Sequence, residues 1–326
     1  MRIFVLGATG HLGQAVVRHA MSRGHAVSAA TRQDDPAALR GLRVRIVRMD
    51  GEYRRLREAS VGHDVLVDAA APYPLEPCMP GGAAWRAAVN GAVARTRRVV
   101  EAAGWNGFRL AFISSFTTLA RRESAVAAME RKWRWSVFPY FEAKAAMERV
   151  VLAAAREGLP AVIVNPAACL GPWEFRAENL SLVRLVLARR LPLMMDQTLS
   201  VMDVRDVAEA IAEALARELF ARPIALAGHN VTLVELARQI LELDGAGGHA
   251  PVACNASLAA MAAFWTAVSY AAWNQATPDP WRAVPLAADG FAMLPSPEQI
   301  SMGLKLFSLR ETLRDAVGFH RSRWAA

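Results

Sequence analysis

Tyr140 and Lys144, a tyrosine with a lysine four residues later, have types and a spacing that suit proton transfer. The 326-residue chain has three lysines and four tyrosines, so such a pair is expected by chance only about 0.04 times. Residues i and i+4 of a helix lie on one face, which places the ammonium beside the phenol. A nearby cation favours the phenolate and lowers the pKa of a phenol from about 10, as a general acid or base near neutral pH requires. An incidental pair on a surface helix has the same spacing, so the rest of the chain must decide.

A glycine-rich turn, Gly7-Ala8-Thr9-Gly10-His11-Leu12-Gly13, follows the first apolar run and precedes a helical pattern. Glycines at this spacing permit a tight turn, let the backbone approach a pyrophosphate and allow a helix to pack closely on a strand. The N–H groups at the start of the helix then favour the anion. The segment therefore predicts a dinucleotide site, against the alternative of a turn that is merely rich in glycine. The expected contacts are Gly7, Thr9, Gly10, His11, Leu12 and Gly13.

Arg32 stands directly after the second strand pattern, Ala29-Ala30-Thr31. Sites that prefer NAD carry a carboxylate near this position for the ribose 2′-hydroxyl, whereas an arginine accommodates the 2′-phosphate of NADP. Asp34 and Asp35 come later, where a loop is expected. Arg32 therefore predicts a preference for NADP(H), with NAD(H) as the alternative. A solvated surface arginine is the other interpretation.

The first two hundred residues alternate short β-branched runs with longer helical patterns. Strands are predicted at residues 3–6, 26–30, 44–47, 65–67, 110–113 and 161–164, and helices at 12–23, 83–103 and 141–157. Strands joined by crossover helices form a parallel sheet with helices on both faces. We expect an α/β fold, with a doubly wound parallel (Rossmann) sheet over residues 1–172 to which 199–222 return. Residues 173–198 and 223–326 are expected to form a smaller, mostly helical substrate lobe.

These features together resemble the extended branch of the short-chain dehydrogenase/reductase superfamily, with its NAD(P)-dependent epimerases and dehydratases, over essentially the whole chain. The resemblance implies that Ser115, second in the pair Ser114-Ser115, is the catalytic hydroxyl residue, with Ser114 as the alternative. It adds Asn90 to the catalytic set, as the anchor of a water that relays protons to Lys144. Further cofactor contacts implied by the resemblance are Asp50 and Gly51 after the third strand, Ala69, Ala70 and Ala71 after the fourth, Lys144, and Pro166 and Ala168 after the sixth.

Within that branch, Tyr140-Phe141 and Val164-Asn165-Pro166 are most similar to the dihydroflavonol reductase, 3β-hydroxysteroid dehydrogenase and hopanoid-associated epimerase-like groups. Typical sugar-nucleotide enzymes have Val-Tyr-Gly after the Ser-Ser pair, where this chain has Phe116-Thr117-Thr118. This departure disfavours a sugar nucleotide as substrate. The 25-residue interval from Ser115 to Tyr140 is short compared with dihydroflavonol reductases, so a dihydroflavonol is not implied either.

The resemblance implies an oxidoreductase that interconverts a ketone and a secondary alcohol. The carbonyl oxygen is expected between the hydroxyls of Ser115 and Tyr140, with Tyr140 supplying the proton and both stabilising the developing charge. Lys144 is expected to hold the nicotinamide ribose. Tyr73, Phe116 and Trp173 fall where a substrate pocket is expected. The alternatives are a sugar-nucleotide epimerase or dehydratase that holds NAD tightly, and a non-catalytic NADPH-binding regulator.

A long uncharged stretch follows His249, with no formal charge before Asp279. Its large apolar residues recur at helical spacing, namely Leu258, Met261, Phe264, Trp265, Val268 and Trp273. A buried helix of the substrate lobe is the favoured interpretation. The alternatives are a lid over a lipophilic substrate and a helix on an anionic membrane surface, which the net charge of +8 would suit. The stretch also favours a fairly apolar substrate, although core packing explains it nearly as well.

Composition and residue spacing disfavour several other classes. The arginines are scattered and lack interleaved aromatic residues, so they indicate a solvated surface and no nucleic-acid partner. Cys78, Cys169 and Cys254 are far apart, and neither they nor the seven histidines show metal-ligand spacing. We therefore expect no metal and no disulfide framework, and a reducing cytoplasm as the compartment. The family resemblance further implies a homodimer.

Overall fold

The computed structural model of the chain describes most of its residues. These are residues 1–33, 36–50, 53–72, 74, 76, 78–119, 138–175, 181–191, 193–245, 250–255, 261–262, 265–266, 268–270, 272–273 and 290–324. The residues discussed above that lie outside this set are Asp34, Asp35, Gly51, Tyr73, Leu258, Phe264, His249 and Asp279.

Seven parallel strands form the main sheet. In chain order they are β1 (Arg2–Leu6), β2 (Ala26–Thr31), β3 (Arg45–Arg48), β4 (Val65–Asp68), β5 (Arg109–Ile113), β6 (Ala161–Pro166) and β10 (Pro223–Leu226). Their spatial order is β10-β6-β5-β4-β1-β2-β3. The chain runs outward from β1 to β3 and then restarts at β4, on the other side of β1. In open parallel sheets, ligands bind at such a divergence, beyond the carboxyl ends of the strands.

Helices cover both faces of this sheet, which confirms the doubly wound α/β fold. They are α1 (His11–Ser22), α2 (Leu56–Ala59), α3 (Ala83–Asn106), α4 (Phe116–Leu119), α5 (Pro139–Arg156), α6 (Leu182–Leu187), α7 (Val204–Ala216), α8 (Leu233–Asp244), α9 (Pro297–Met302) and α10 (Leu309–Trp324), with a short 3-10 helix at Ala37–Leu39. Side chains alternate along β1 and so divide the core. Ile3 and Val5 pack with α1 and α7, whereas Phe4 and Leu6 pack with α3 and α5.

Two smaller sheets and a third apolar core lie beyond the main sheet. β7 (Ala168–Leu170), β9 (Thr198–Asp203) and β11 (His229–Thr232) form the first in the order β11-β9-β7, and β8 (Leu193–Met195) pairs with β12 (Val252–Cys254) in the second. α6, α8 and α10 enclose the third core. β10 lies after residue 222, where the sequence predicts the lobe, yet it supplies the edge strand beside β6. The four residues of β10 carry no sequence signal that shows which sheet they will join. The predicted domain boundaries stay a prediction.

The described part of the uncharged stretch is helical at most positions, but its large side chains are not buried. Met261, Trp265, Val268 and Trp273 are all exposed. The favoured interpretation, a buried helix, is therefore wrong for these four positions. Helical spacing of apolar residues shows which residues share a face, but not what covers that face. Within the described ranges, no helix is long and apolar enough to cross a membrane.

Asp206 is a buried carboxylic acid in the first turn of α7, and both of its carboxyl oxygens face the backbone N–H of Phe307, at 3.1 and 3.3 Å. Burial, and after it the nearby carboxylate of Asp203, raises the pKa of Asp206 to about 7. The ordinary value is 3.8, so between these two values the folded state keeps a proton that the unfolded state has lost. The free energy of unfolding therefore falls as the pH rises through this window.

Asp206→Asn keeps a hydrogen-bond acceptor and removes the ionisation. We expect it to raise the melting temperature above about pH 7 and to lose this advantage as the pH falls toward about 4. Thermal unfolding of both proteins from about pH 8 to about pH 5 measures the difference. Asp196→Asn, at an exposed position, is the control and should show no such trend. An advantage of Asp206→Asn that is equal at both ends of the range would contradict the raised pKa.

Candidate active site

The turn after β1 passes so close to the end of β4 that its first glycine has no room for a side chain. Gly7 has a φ of +71°, and a Cβ there would lie 2.8 Å from the Cβ of Ala70. A Cβ on Gly13 would lie 2.0 Å from the carbonyl oxygen of Gly7, which is far inside van der Waals contact. Because both positions are glycine, α1 begins within the turn itself, where its free N–H groups favour an anion. This cradle fits the pyrophosphate of a dinucleotide.

One cavity of about 1350 Å³ extends from this turn to Tyr140 and Lys144 and on into the lobe. Pockets for a single small ligand usually measure about 300–1,000 Å³, so this cavity has room for a cofactor and a second molecule. Most residues with a predicted site role line it, namely Gly7, Thr9, Gly10, His11, Leu12, Arg32, Ala69, Ala70, Ala71, Ser115, Phe116, Tyr140, Lys144, Pro166 and Ala168. Gly13 does not line the cavity, because it packs behind the turn against Gly7.

His11 joins the glycine turn to the chain that leaves β7. It is buried, and its Nε2 atom lies 3.0 Å from the carbonyl oxygen of Pro172. The contact links two segments that are 161 residues apart in the sequence. His11 therefore helps to fix the opening of the cavity as well as lining it.

Besides Gly13, three of the predicted site residues that the structure describes lie outside the cavity lining. Asp50 is exposed, and its carboxylate accepts a hydrogen bond from the Arg54 N–H at 3.3 Å. Asn90 is exposed on α3, so its position does not support the predicted role as anchor of a water beside Lys144. Trp173 lies under the guanidinium of Arg18, 4.8 Å from the ring centroid. Adjacent residues of an extended segment face opposite sides, and successive residues of a helix face different directions, so a position on the expected segment does not by itself bring a side chain to the cavity.

Other residues of the same segments line the cavity. Met49 does so directly before Asp50, and Arg95 does so five residues after Asn90 on α3. Arg95 donates hydrogen bonds to both carboxylate oxygens of Asp68 at the end of β4, one of them at 2.9 Å, and both side chains are buried. Burial alone would lower the pKa of Arg95, but the Asp68 carboxylate raises it above its usual value. The guanidinium also lies over the ring of Tyr53, at 4.8 Å.

Sequence reasoning missed this buried pair, although a signal exists. Asp68 follows the apolar run Val65-Leu66-Val67, so a buried carboxylate could have been expected there. A buried charge requires a partner of opposite sign. Of the pair, Arg95 lines the cavity at the end of the glycine turn, where Tyr53 and Arg32 also line it.

Tyr140 and Lys144 lie on one buried face of α5, as their spacing predicts. The helix begins at Pro139, which places Tyr140 in its first turn beside the end of β5. The Lys144 ammonium donates a hydrogen bond to the carbonyl oxygen of Ile113 at 3.2 Å and lies 3.5 Å from that of Ser114. The carboxyl end of β5 therefore fixes the ammonium.

The two serines after β5 have different partners. The Ser115 hydroxyl oxygen accepts hydrogen bonds from the N–H of Thr117 at 3.2 Å and from its hydroxyl at 2.9 Å. With its oxygen so occupied, Ser115 retains its own proton to donate into the cavity that it lines. Ser114 instead donates its proton to Glu148 at 2.6 Å. This geometry favours Ser115 over Ser114 as the reacting hydroxyl.

Glu148, a residue that sequence reasoning missed, accepts hydrogen bonds from three residues around Ser115 and Lys144. Its carboxylate is buried one helical turn after Lys144 and accepts hydrogen bonds from Ser114, from Thr118 at 2.7 Å and from Asn165 at 2.6 Å. These donors lie directly after β5, in α4 and in β6, so one carboxylate links three parts of the chain. The spacing Tyr140, Lys144, Glu148 on one helical face was the available signal.

The far part of the cavity is predominantly apolar. Its walls include Leu182, Leu185, Leu191, Met194, Leu233 and Leu236. Phe116 lines the boundary with the cofactor part, and its ring lies 5.1 Å from that of Phe291. Two charged residues, Glu174 and Arg190, interrupt the apolar wall among the described residues. Glu174 is buried and accepts the Ser181 hydroxyl proton at 2.5 Å.

Comparisons with known proteins agree with this architecture. A family model described as "NAD dependent epimerase/dehydratase family" matches residues 3–223. Sterol demethylase protein B of Methylococcus capsulatus is 32% identical over 253 residues, 75% of each chain. A putative dihydroflavonol 4-reductase of Synechocystis sp. is 30% identical over 211 residues, 63% of this chain and 60% of that relative. The fold is similar to that of a nucleoside-diphosphate-sugar epimerase from Pseudomonas aeruginosa, with a TM-score of 0.71 at 18% identity over 99% and 98% of the two chains.

Glu148→Gln replaces an oxygen that accepts three hydrogen bonds with an amide that cannot satisfy all three donors. We expect the free energy of unfolding to fall by about 1–3 kcal/mol, measured by urea denaturation. Glu142→Gln on the same helix is the control, because Glu142 forms a partly exposed ion pair with Arg149 at 2.9 Å. It should change stability by less than about 1 kcal/mol. Equal effects of the two substitutions would contradict the role assigned to Glu148.

Proposed function

Since the chain belongs to the NAD-dependent epimerase/dehydratase family, we propose that it is an NADP(H)-dependent oxidoreductase that interconverts a ketone and a secondary alcohol on a fairly apolar molecule. The arrangement of the cavity carries this proposal. The glycine turn lies at one end, Ser115, Tyr140 and Lys144 at the middle, and leucine and methionine side chains at the other end. These three parts suit phosphate groups, a reacting carbonyl and an apolar carbon skeleton, in that order.

The first of these parts fits a nicotinamide dinucleotide. Gly7 and Gly13 leave no Cβ in the turn, and the N-terminus of α1 favours the pyrophosphate charge. Ala69, Ala70 and Ala71, which follow β4, line the cavity with side chains no larger than methyl groups. The bound cofactor would supply the hydride, and the protein supplies position, charge and exclusion of water.

Ser115 and Tyr140 are proposed to bind the substrate carbonyl oxygen. Ser115 donates a hydrogen bond to that oxygen and keeps its proton, because Thr117 already occupies the acceptor side of its hydroxyl. Tyr140 donates its phenolic proton as the oxygen gains negative charge. Lys144, held by the carbonyl of Ile113, places a cation on the same helical face and so favours the phenolate that is left behind. In the reverse direction, the phenolate accepts the proton of the alcohol.

An apolar substrate is proposed from the composition of the far wall. Six leucine and methionine side chains there offer few hydrogen-bond partners to a sugar. The names of the two relatives point the same way, since one is a sterol demethylase protein and the other a dihydroflavonol reductase. The structural neighbour named as a sugar epimerase supports the alternative of a sugar-nucleotide epimerase, and Arg190 in the wall could bind a phosphate. The homodimer, the cytoplasmic location and the lack of a nucleic-acid partner stay predictions.

Tyr140→Phe removes the proposed proton donor and keeps the ring. We expect kcat to fall by about 100-fold or more while NADPH still raises the melting temperature. The assay follows NADPH oxidation at saturating concentrations of steroid ketones. Tyr270→Phe, at a tyrosine outside the cavity lining, is the control and should retain activity. Stabilisation of the wild-type protein by a sugar nucleotide, without any response to NADPH or to the ketones, would instead support the epimerase.

Arg32→Ser tests the cofactor preference. Arg32 is exposed at the cavity rim after β2, where a 2′-phosphate would keep contact with both the guanidinium and water. A hydrogen bond to a charged group contributes about 1.5–3 kcal/mol, so NADPH affinity should fall about 10- to 100-fold. NADH affinity should change little, and Arg43→Ser, exposed and outside the lining, should change neither. Titration calorimetry measures both affinities, and equal losses for the two cofactors would contradict the assignment.

A further inference from the structure

We propose that an exposed apolar patch at the mouth of the cavity docks on an anionic lipid bilayer and admits an apolar substrate from the bilayer. The patch consists of Leu193, Val252, Met261, Trp265, Val268 and Trp273. The docking step is independent of the proposed reaction, whereas the delivery of a substrate rests on it.

The first argument is exposure. All six side chains are large and apolar and are exposed, with Trp265 at 61% and Trp273 at 79%. Leu193 and Val252 are direct partners in the pairing of β8 with β12, so they lie side by side. Met261, Trp265 and Val268 each have helical backbone, and they recur at positions i, i+4 and i+7, the spacing of residues that share one face of a helix. Apolar faces that carry tryptophan are typical of segments that insert into the bilayer interface.

The second argument is the state of the polar groups between these residues. The Thr266 hydroxyl donates to the carbonyl oxygen of Ala262 at 2.8 Å. The Ser269 hydroxyl donates in the same way to Trp265, also at 2.8 Å. A hydroxyl that is already hydrogen-bonded costs less to transfer from water to an apolar environment. The helical segment can therefore enter the interface without leaving these donors unpaired.

Charge decides between the occupants of the patch. No Asp, Glu, Lys or Arg occurs between residues 250 and 278, so the stretch that contains most of the patch carries no ionised side chain into the bilayer. The chain as a whole has a net charge of +8, which attracts an anionic bilayer. A second copy of the chain carries the same net charge of +8, so it offers this patch no opposite charge. Arg190, exposed and in the cavity wall with Leu193, places a cation near the patch.

The patch is continuous with the inside of the cavity. Leu193 belongs to both, and Cys254, Asn255 and Ala262, which lie beside patch residues in the sequence, also line the cavity. The neighbouring interior wall is formed by Leu191 and Met194. A molecule dissolved in lipid could pass from the bilayer into this wall along apolar side chains, with little of its surface exposed to water.

Sedimentation with lipid vesicles tests the docking of the full chain. Vesicles of phosphatidylcholine alone are compared with vesicles that also contain phosphatidylglycerol as the anionic lipid. We expect binding to the anionic vesicles, weakened by high salt because salt screens the electrostatic part. Trp265→Ser combined with Trp273→Ser should reduce the affinity about tenfold or more, because two large apolar side chains no longer enter the interface.

The matched control is Trp105→Ser. Trp105 is 70% exposed at the end of α3, under the guanidinium of Arg57, and does not belong to the patch. It should leave vesicle binding unchanged, and a retained NADPH-induced rise in melting temperature shows that each variant is folded. An equal loss with Trp105→Ser, or no binding of the wild-type protein to either vesicle, would overturn the proposal. So would a dimer, seen by light scattering, that the double substitution converts to a monomer without changing vesicle binding.

The outcomes also separate the docking from the proposed reaction. Vesicle binding that depends on the two tryptophans, in a protein that reduces no apolar ketone, supports the docking and rejects the proposed reaction. Ketone reduction by a protein that does not bind vesicles rejects the docking and leaves the reaction standing.

Discussion

The close approach of two backbones, at the ends of β1 and β4, is the constraint on which the rest of the structure depends. The strands are paired in register, Leu6 opposite Asp68, so the turns that follow them meet directly. Gly7 has no space for a Cβ against Ala69 and Ala70, and Gly13 has none against Gly7. Larger residues at these glycines would push α1 away from the sheet. The crevice at which the strand order diverges would then lose its narrow base, and the cavity would lose its cofactor end.

A second set of contacts determines which way the reactive hydroxyls face. Glu148 is buried and accepts a hydrogen bond from the Ser114 hydroxyl, while the Thr117 hydroxyl donates one to Ser115. Two adjacent serines with the same chemistry thereby acquire different roles. The neighbouring residues cause this difference, because a serine hydroxyl can rotate until its hydrogen points at an acceptor whose position is fixed. A carboxylate outside the reacting group can therefore control the reaction geometry without touching the substrate.

The sequence was sufficient for the features that have a period or a short motif, and insufficient for those that depend on orientation or on distant partners. The parallel sheet, the glycine turn and the pairing of Tyr140 with Lys144 all follow from local spacing. Asp50 follows β3 and Asn90 lies on α3 as expected, but both are exposed and neither lines the cavity. A shift of one residue along a strand reverses the direction of a side chain, and family resemblance does not fix so small a shift.

Burial was the other quantity that spacing could not supply. Asp68 and Arg95 form an ion pair although they are 27 positions apart in the sequence. The residues next to either one do not indicate which distant residue will be its partner. The uncharged stretch is the opposite case. Its apolar residues do recur at helical spacing, but in the described residues they are exposed to solvent and not buried. Periodicity predicts that a face exists, and only the tertiary structure decides whether protein covers it.

The geometry around Lys144 also explains why a chain with 35 arginines has a lysine at this position. An ammonium is compact and has three donors, and here one of them binds the Ile113 carbonyl while the Ser114 carbonyl lies at 3.5 Å. A guanidinium is a wide planar fork, and on the same buried face it would need more space between α5 and β5. It would also carry its charge farther from the helix and hence farther from the Tyr140 phenol. The proposed reaction needs a compact cation on the helical face of the Tyr140 hydroxyl, and lysine meets that requirement where arginine does not.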